Sequence, residues 1–187
     1  MKKFILTDET IEMFGVTLHR IKAVRSFGNV KEGDLGGFVE KEENVSENFE
    51  AWVCGDAKVW GNAEVSGNAE VWGNAEVSGN AKVCGNAEVW GNAEVSGNAK
   101  VWGNAKVCGN AEVWGNADYI VFKNWWSSGR YFTWTRSNNM WSVGCFYGTG
   151  EELIKKAYQD SEKSGREYEK VVKYVQSILE DNEKDNV

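Results

Sequence analysis

Few side chains in this sequence have the chemistry of a catalytic group. His19 carries the only imidazole, so a general base of that type has one candidate, and a zinc site built from three histidines is excluded. The thiols of Cys54, Cys84, Cys108 and Cys145 form no CxxC pair, and we expect them to be reduced. Cys145 precedes a predicted helix start, where a thiol pKa can fall, but a buried apolar role is favoured. We therefore predict no catalytic residue, no metal and no cofactor, and a non-enzyme is favoured.

A second group of residues has the chemistry of a binding site. After residue 118 the chain becomes rich in aromatic rings, with arginines and hydroxyls among them. Arginine binds phosphates through two parallel hydrogen bonds and aromatic faces stack on flat rings, which suits a small anionic ligand such as a nucleotide. The alternative is that the rings form a core and the arginines are solvated. The candidate ligand-binding residues are Trp125, Trp126, Ser128, Arg130, Thr133, Trp134, Thr135 and Arg136.

These residues belong to a region predicted to fold as a β-hairpin followed by amphipathic helices. Alternation over 130–136, a turn at 137–139 and a returning strand over 140–147 predict the hairpin. Thr149 and Glu152 fit a capping box, which predicts a helix to about residue 160. We expect a break at Ser164 and Gly165, then a second helix over 166–181 and a frayed tail over 181–187.

The centre of the chain repeats one six-residue unit. Between 53 and 118 the unit Val-x-Gly-Asn-Ala-(Glu/Lys) occurs eleven times, with Asp56 once in place of Asn. This period is typical of a parallel β-helix. Val and Ala should point inward and Glu or Lys outward, while Gly and Asn turn the corner because both tolerate positive φ. Three units make a triangular coil of 18 residues. The interior, filled by the Val column and by the Ala column from Ala57 to Ala117, is too narrow for a ligand.

The residue after each valine is predicted to point outward, and five of these residues are tryptophans. They present more apolar surface than a monomer usually exposes, so they are the candidate interface for a homo-oligomer, a trimer or a dimer. The alternative is that the rings lie flat on the sheet. The 18-residue spacing places Trp72 beside Trp90 on one face, Trp60 and Trp114 on a second, and Trp102 on the third.

Charge and hydropathy narrow the possible partners. The net charge of −7 divides into −3 for 1–52, −4 for 53–118 and 0 for 119–187, which disfavours direct binding of nucleic acid. No apolar run of about eighteen residues predicts a membrane span, and no signal peptide is recognised, so we expect a cytoplasmic protein without a membrane partner.

We predict three regions along the chain. They are an N-terminal β cap with the first coil over 1–52, the hexapeptide-repeat solenoid over 53–118, and an aromatic-rich hairpin with helices over 119–187. The cap, with strands expected at 3–7 and 17–26, would protect the end of the solenoid from aggregation.

The hexads resemble the left-handed β-helix, hexapeptide-repeat superfamily, and their sequence is most similar to the YdcK-type solenoid repeat. The stretches 20–24, 33–38 and 43–46 are similar to the N-terminal cap of that group, which is common in bacterial and phage-encoded proteins, and 128–130, 133–136 and 144–149 are similar to a tail that accompanies such solenoids. The resemblance implies a mainly β fold with a left-handed solenoid. Other members of the superfamily include acyltransferases with a histidine base and γ-type carbonic anhydrases.

Three functions follow as hypotheses. The first is a non-catalytic binding protein, oligomeric and phage-encoded, that captures a host protein or a small ligand through its C-terminal region. The second is sequestration of a nucleotide signalling molecule. The third is acyl transfer with His19 as base, which the position of His19 outside the repeats disfavours.

Overall fold

The computed structural model describes residues 2–184, with side chains for 2–180, and begins with a small β cap. Strands β1 (Phe4–Met13), β2 (Val16–Ala23) and β3 (Leu35–Val39) pair as antiparallel neighbours, and a 3-10 turn follows at Glu42–Asn44. β1 extends well beyond the predicted strand at 3–7, and β2 ends three residues before the predicted end at 26. Phe38 and Val39 of β3 then pair in parallel with Lys58 and Val59 of the repeats, so the cap and one face of the solenoid share a sheet.

The hexads form a parallel β-solenoid of about four coils, as the repeat predicts. Each hexad contributes a two-residue strand that pairs with strands 18 residues away along the chain. These strands are Trp52–Val53 (β4), Lys58–Val59 (β5), Glu64–Val65 (β6), Glu70–Val71 (β7), Glu76–Val77 (β8), Lys82–Val83 (β9), Glu88–Val89 (β10), Glu94–Val95 (β11), Lys100–Val101 (β12), Lys106–Val107 (β13) and Glu112–Val113 (β14).

Three parallel sheets make the faces of the solenoid, in the orders β5-β8-β11-β14, β4-β7-β10-β13 and β6-β9-β12. Every valine of the column from Val53 to Val113 is fully buried, and so is nearly all of the alanine column. The interior is therefore a packed core. Ala117, predicted to be interior, is exposed because the chain leaves the solenoid after β14 and no further coil covers it.

Glycine and asparagine have separate roles at the corners. Ten corner glycines have φ between 64° and 76°, whereas no asparagine of the fully described hexads has positive φ, so the prediction that Asn shares this conformation is wrong. The asparagine side chains instead form rows along the solenoid. Asn68 Nδ2 donates to Asn86 Oδ1 at 3.1 Å, and Asn86 Nδ2 donates to Asn104 Oδ1 at 3.3 Å. Asp56, the one residue of another type at the Asn position of the hexads, has its Oδ1 3.8 Å from a guanidinium nitrogen of Arg20 in the cap.

The C-terminal region contains a four-stranded antiparallel sheet where one hairpin was predicted. Its strands, adjacent in chain order, are β15 (Tyr119–Lys123), β16 (Tyr131–Thr135), β17 (Met140–Val143) and β18 (Phe146–Gly148). The predicted returning strand is two strands because the chain turns at Gly144, whose φ is 59°. β15 was missed by the sequence analysis.

Two helices complete the chain. α1 (Gly150–Asp160) begins with the predicted capping box, in which Thr149 Oγ1 accepts the N–H of Glu152. α2 (Glu162–Lys184) begins earlier than predicted, and Gly165 lies inside it. Gly165 does not break the helix. It allows α2 to pack closely against Tyr158, because a Cβ at this position would lie 2.3 Å from the Tyr158 ring. Of the predicted frayed tail, 181–184 are helical and 185–187 lie outside the described residues. Within the described chain, neither helix is sufficiently long and apolar to span a membrane.

Candidate functional site

A cleft of about 690 Å³ lies where the C-terminal sheet meets both helices. Its walls come from the β15–β16 connection, the β17–β18 turn, α1 and α2, and its volume is in the range of small-molecule sites. The floor is apolar and consists of Val143, Phe146, Leu153 and Ala157. The rim is polar and consists of Ser127, Ser128, Arg130, Lys156, Asp160 and Ser164.

The rim has an excess of positive charge although the protein as a whole is acidic. Arg130 and Lys156 are both exposed cations, and Asp160 is the one carboxylate in the lining. A local excess of cations over an apolar surface attracts an anion and strengthens its contacts once water is displaced. The cleft therefore has the electrostatics of a site for a small anion that also carries an apolar part.

A buried polar pair at the inner side of the cleft fixes the β15–β16 connection. Asn124 Nδ2 donates to Tyr168 Oη at 3.0 Å, and Asn124 Oδ1 accepts from the N–H of Ser127 at 2.9 Å. Tyr168 is 7% exposed, and burial raises its pKa, so the phenol stays protonated. Its O–H has no acceptor among the described residues, which leaves one buried donor facing the cleft it lines.

Only part of the predicted ligand-binding set lies at this cleft. Ser128 and Arg130 line it. Trp125, in the same connection, is 74% exposed, whereas Trp126 is buried among the rings of the core. Arg136 is exposed at the β16–β17 turn and does not line the cleft.

The other three predicted residues are buried in the sheet. Thr133 Oγ1 accepts the N–H of Lys106, at 2.9 Å, and so joins β16 to the last coil. Trp134 Nε1 donates to an asparagine of the β16–β17 turn at 2.9 Å, and Thr135 Oγ1 donates to another at 2.5 Å. Their polar groups are occupied by the protein itself.

The residues that sequence reasoning missed come from the helices and from the core. Lys156, Asp160 and Tyr168 line the cleft, but the sequence gives them only as positions on amphipathic helices. One signal was present: Lys156 and Asp160 are four residues apart on α1 and border the buried stripe of Leu153 and Ala157.

The outward tryptophans differ in how far the molecule covers them. Trp72 and Trp90 stack as their spacing predicts, with ring centroids 5.3 Å apart and planes at 2°. Trp60 packs against an aromatic residue of the β1–β2 turn, at a centroid distance of 6.4 Å. Trp102 and Trp114 remain 67% and 62% exposed. Their role in self-association stays a prediction.

The groups considered first for chemistry lie in separate places. His19 is half-buried on β2, with Nδ1 3.2 Å from the Thr7 carbonyl oxygen, in the cap rather than in the C-terminal region. All four cysteines are free, and burial raises the pKa of Cys108 to about 11. Cys145 is exposed at the cleft, contrary to the expected burial, because it lies in the β17–β18 turn. The described residues contain no cluster of three or more His, Cys, Asp or Glu suited to a metal.

Fold and cleft together define a β-solenoid with an antiparallel sheet and two helices at its C-terminal end. No protein-family model matches the sequence, and no curated protein matches it. The function is therefore argued from the site.

Proposed function

We propose that this protein is a non-catalytic binding protein that captures a small anionic ligand of the nucleotide class in the C-terminal cleft. The observation that carries the proposal is the pairing of Arg130 and Lys156 on the rim with an apolar floor beneath them. The sequence of the hexads and the 18-residue coil support the assignment of this protein to the left-handed, YdcK-type hexapeptide-repeat group of bacteria and phages. In that setting, the ligand would be a nucleotide signal that the protein sequesters.

The parts of a nucleotide match the parts of the cleft. Arg130 and Lys156 offer charge-assisted hydrogen bonds to phosphate oxygens, and the hydroxyl of Ser128 adds a neutral donor. Val143 and Phe146 offer an apolar surface to the base. The free O–H of Tyr168 and the carboxylate of Asp160 provide a donor and an acceptor for the polar edges of the base or sugar.

Titration calorimetry with ATP, cyclic AMP and cyclic dinucleotides tests the proposal, using Lys156→Ala with Lys155→Ala as its control. Both lysines are exposed on α1, but only Lys156 lines the cleft. We expect Lys156→Ala to weaken binding by roughly tenfold or more, and Lys155→Ala to leave it unchanged. Arg130→Ala should act like Lys156→Ala, and Arg136→Ala like the control. No binding by any of these nucleotides, or equal losses in both lysine variants, overturns the proposal.

Self-association is a second role, favoured by Trp114 because its ring remains 62% exposed. A homo-oligomer or a captured host protein would cover it. Sedimentation equilibrium of the wild type and of Trp114→Ser tests self-association: a dimer or trimer that dissociates in the variant supports it, and a monomeric wild type contradicts it. Acyl transfer is not proposed, because the cleft contains no base of the histidine type.

A further inference from the structure

We infer that a second groove, on another face of the molecule, binds a neutral carbohydrate. The groove has a volume of about 510 Å³ and lies where the last coil meets β15 and β16. None of its lining residues carries a formal charge, in contrast to the cationic cleft. Its lining includes Trp102, Asn104, Asn116, Tyr119 and Tyr131.

Two aromatic rings supply flat contact surfaces. Trp102 is 67% exposed and Tyr131 40% exposed, and the ammonium of Lys123 covers one face of the Tyr131 ring at 5.5 Å from its centroid. Trp72 and Trp90 occupy the equivalent hexad position on the neighbouring face and stack on each other, but Trp102 has no ring partner among the described residues. The face of an aromatic ring is electronegative, and the C–H groups on a sugar face are weakly electropositive, so a sugar ring can lie on such a surface.

Two amide groups supply donors beside those rings. Asn104 ends its row of asparagines, and its Oδ1 accepts from Asn86 at 3.3 Å. Asn116 Oδ1 accepts the backbone N–H of Lys100 at 3.0 Å. Both oxygens are thus occupied, and neither Nδ2 group has an acceptor within the part of the chain that the structure describes. Each amide can donate to the hydroxyl oxygens of a sugar, and its orientation is already fixed.

The wall between the rings and the amides is rigid. Tyr119 is almost fully buried, and its Oη donates to the Lys100 carbonyl oxygen at 2.6 Å. The same residue therefore holds β15 against the last coil and forms one side of the groove. A site that is already ordered loses little conformational entropy on binding.

Because no lining residue is charged, the groove favours a neutral sugar over a charged small ligand. A phosphate would have to shed water with no cation in the lining to receive it, which is costly. The polyhydroxylated faces of a neutral oligosaccharide need stacking surfaces and uncharged donors, and these are the groups present. A peptide that contacts the same rings is the competing occupant.

Calorimetry with maltohexaose, cellohexaose and chitohexaose tests the inference. Trp102→Ala removes the exposed ring, and Trp125→Ala is the control because Trp125 is a comparably exposed tryptophan, at 74%, that does not line the groove. We expect at least one oligosaccharide to bind, and Trp102→Ala to weaken that binding by about tenfold or more while Trp125→Ala does not. The affinity should change little with salt, because the sugar is neutral and no lining residue carries a charge.

A second pair of variants tests the amide donors. Asn104→Ala and Asn98→Ala each remove one bond of an asparagine row, but only Asn104 lines the groove. We expect Asn104→Ala to weaken oligosaccharide binding several-fold and Asn98→Ala to leave it unchanged. The inference is overturned by no binding of the three oligosaccharides, or by equal losses in the paired variants.

Discussion

At the level of single residues, the corner glycines of the solenoid combine an unusual backbone conformation with a close approach between coils. Gly85 and Gly103 both have φ above +70°. A Cβ on Gly85 would lie 2.9 Å from the backbone nitrogen of Gly103 in the next coil, whereas a Cβ on Gly103 would meet nothing within 4 Å. These two positions separate the cost of the left-handed conformation from the cost of steric overlap.

We therefore predict different losses for the same substitution in neighbouring coils. Gly103→Ala should lower the free energy of unfolding by about 1–2 kcal/mol, the cost of a left-handed alanine. Gly85→Ala should lower it further, because the two backbones must also move apart. Urea unfolding followed by circular dichroism measures both. Equal losses would show that the coils do not approach as closely as described.

Among the structural elements, the C-terminal sheet and the chain next to it supply hydrogen-bond acceptors to the last coil of the solenoid. Inside the solenoid, backbone N–H groups donate to the next coil, as Glu88 does to Ala105 at 2.9 Å. The last coil has no successor, and side-chain oxygens take the place of those carbonyls. The replacements are Asn116 Oδ1 for Lys100, Thr133 Oγ1 for Lys106 and Ser137 Oγ for Glu112. These bonds protect the end from pairing with another chain.

Thr133 carries one of these bonds and is 1% exposed, so its hydroxyl can be tested directly. Thr133→Val keeps the shape but leaves the Lys106 N–H without an acceptor, and should destabilise the protein by about 1–3 kcal/mol. Thr133→Ser retains the hydroxyl and should lose much less. Thermal and urea unfolding measure the difference, and equal stability of the valine and wild-type proteins would contradict this role.

The N-terminal cap contains a buried lysine that makes stability depend on pH. Lys3 is fully buried, and its Nζ donates to the carbonyl oxygens of Ser46 and Ala51. Burial lowers the pKa of Lys3 to about 8, from 10.5 in the unfolded chain. Between these values the unfolded state binds more protons, so the free energy of unfolding should rise with pH from about 8 to 10.5.

The predicted rise from this group is on the order of 3 kcal/mol. Lys3→Met removes the titrating group and should remove that part of the rise, while other groups titrate equally in both proteins. Urea unfolding at intervals of pH measures the difference. The assignment fails if the two proteins show the same dependence on pH.

Sequence reasoning predicted the elements whose contacts repeat and missed those whose contacts do not. Val77 and Trp72 each meet a copy of their own environment 18 residues away, so the period alone locates them. β15 pairs with β16, and Tyr119 and Thr133 attach the two strands to the last coil. No local pattern records such attachments, and Thr133 therefore looked like a ligand contact.

Some residues of the candidate site could be predicted from the sequence and others could not. Arg130 and Ser128 could be selected because arginine and hydroxyls among rings are uncommon and suit an anion. Tyr168 could not, because its place at the cleft depends on how α2 crosses the sheet, and for Lys156 the sequence offered only its spacing from Asp160 beside the buried stripe of α1.

For the whole molecule, the net negative charge lies on the cap and the solenoid, whereas the proposed ligand-binding cleft lies in the C-terminal region. The hexads and the cap carry the net negative charge, and residues 119–187 are neutral overall. Opposite charges in adjacent coils form ion pairs, such as Lys58 with Glu76 at 3.0 Å, while Glu76, Glu94 and Glu112 form an acidic column. An acidic rod repels anions from its sides, so a phosphate-bearing ligand is left with the cationic rim of the C-terminal cleft.

The ligand is proposed to bind to the C-terminal region, with the solenoid as an inert support. Amide hydrogen exchange followed by mass spectrometry tests this division of roles most directly, when the protein is compared with and without the nucleotide that binds most tightly. Exchange should slow in 124–130, 143–147 and 153–168, which border the cleft, and stay unchanged over 53–101. Slower exchange along the hexads, with unchanged exchange at the cleft, would contradict that division.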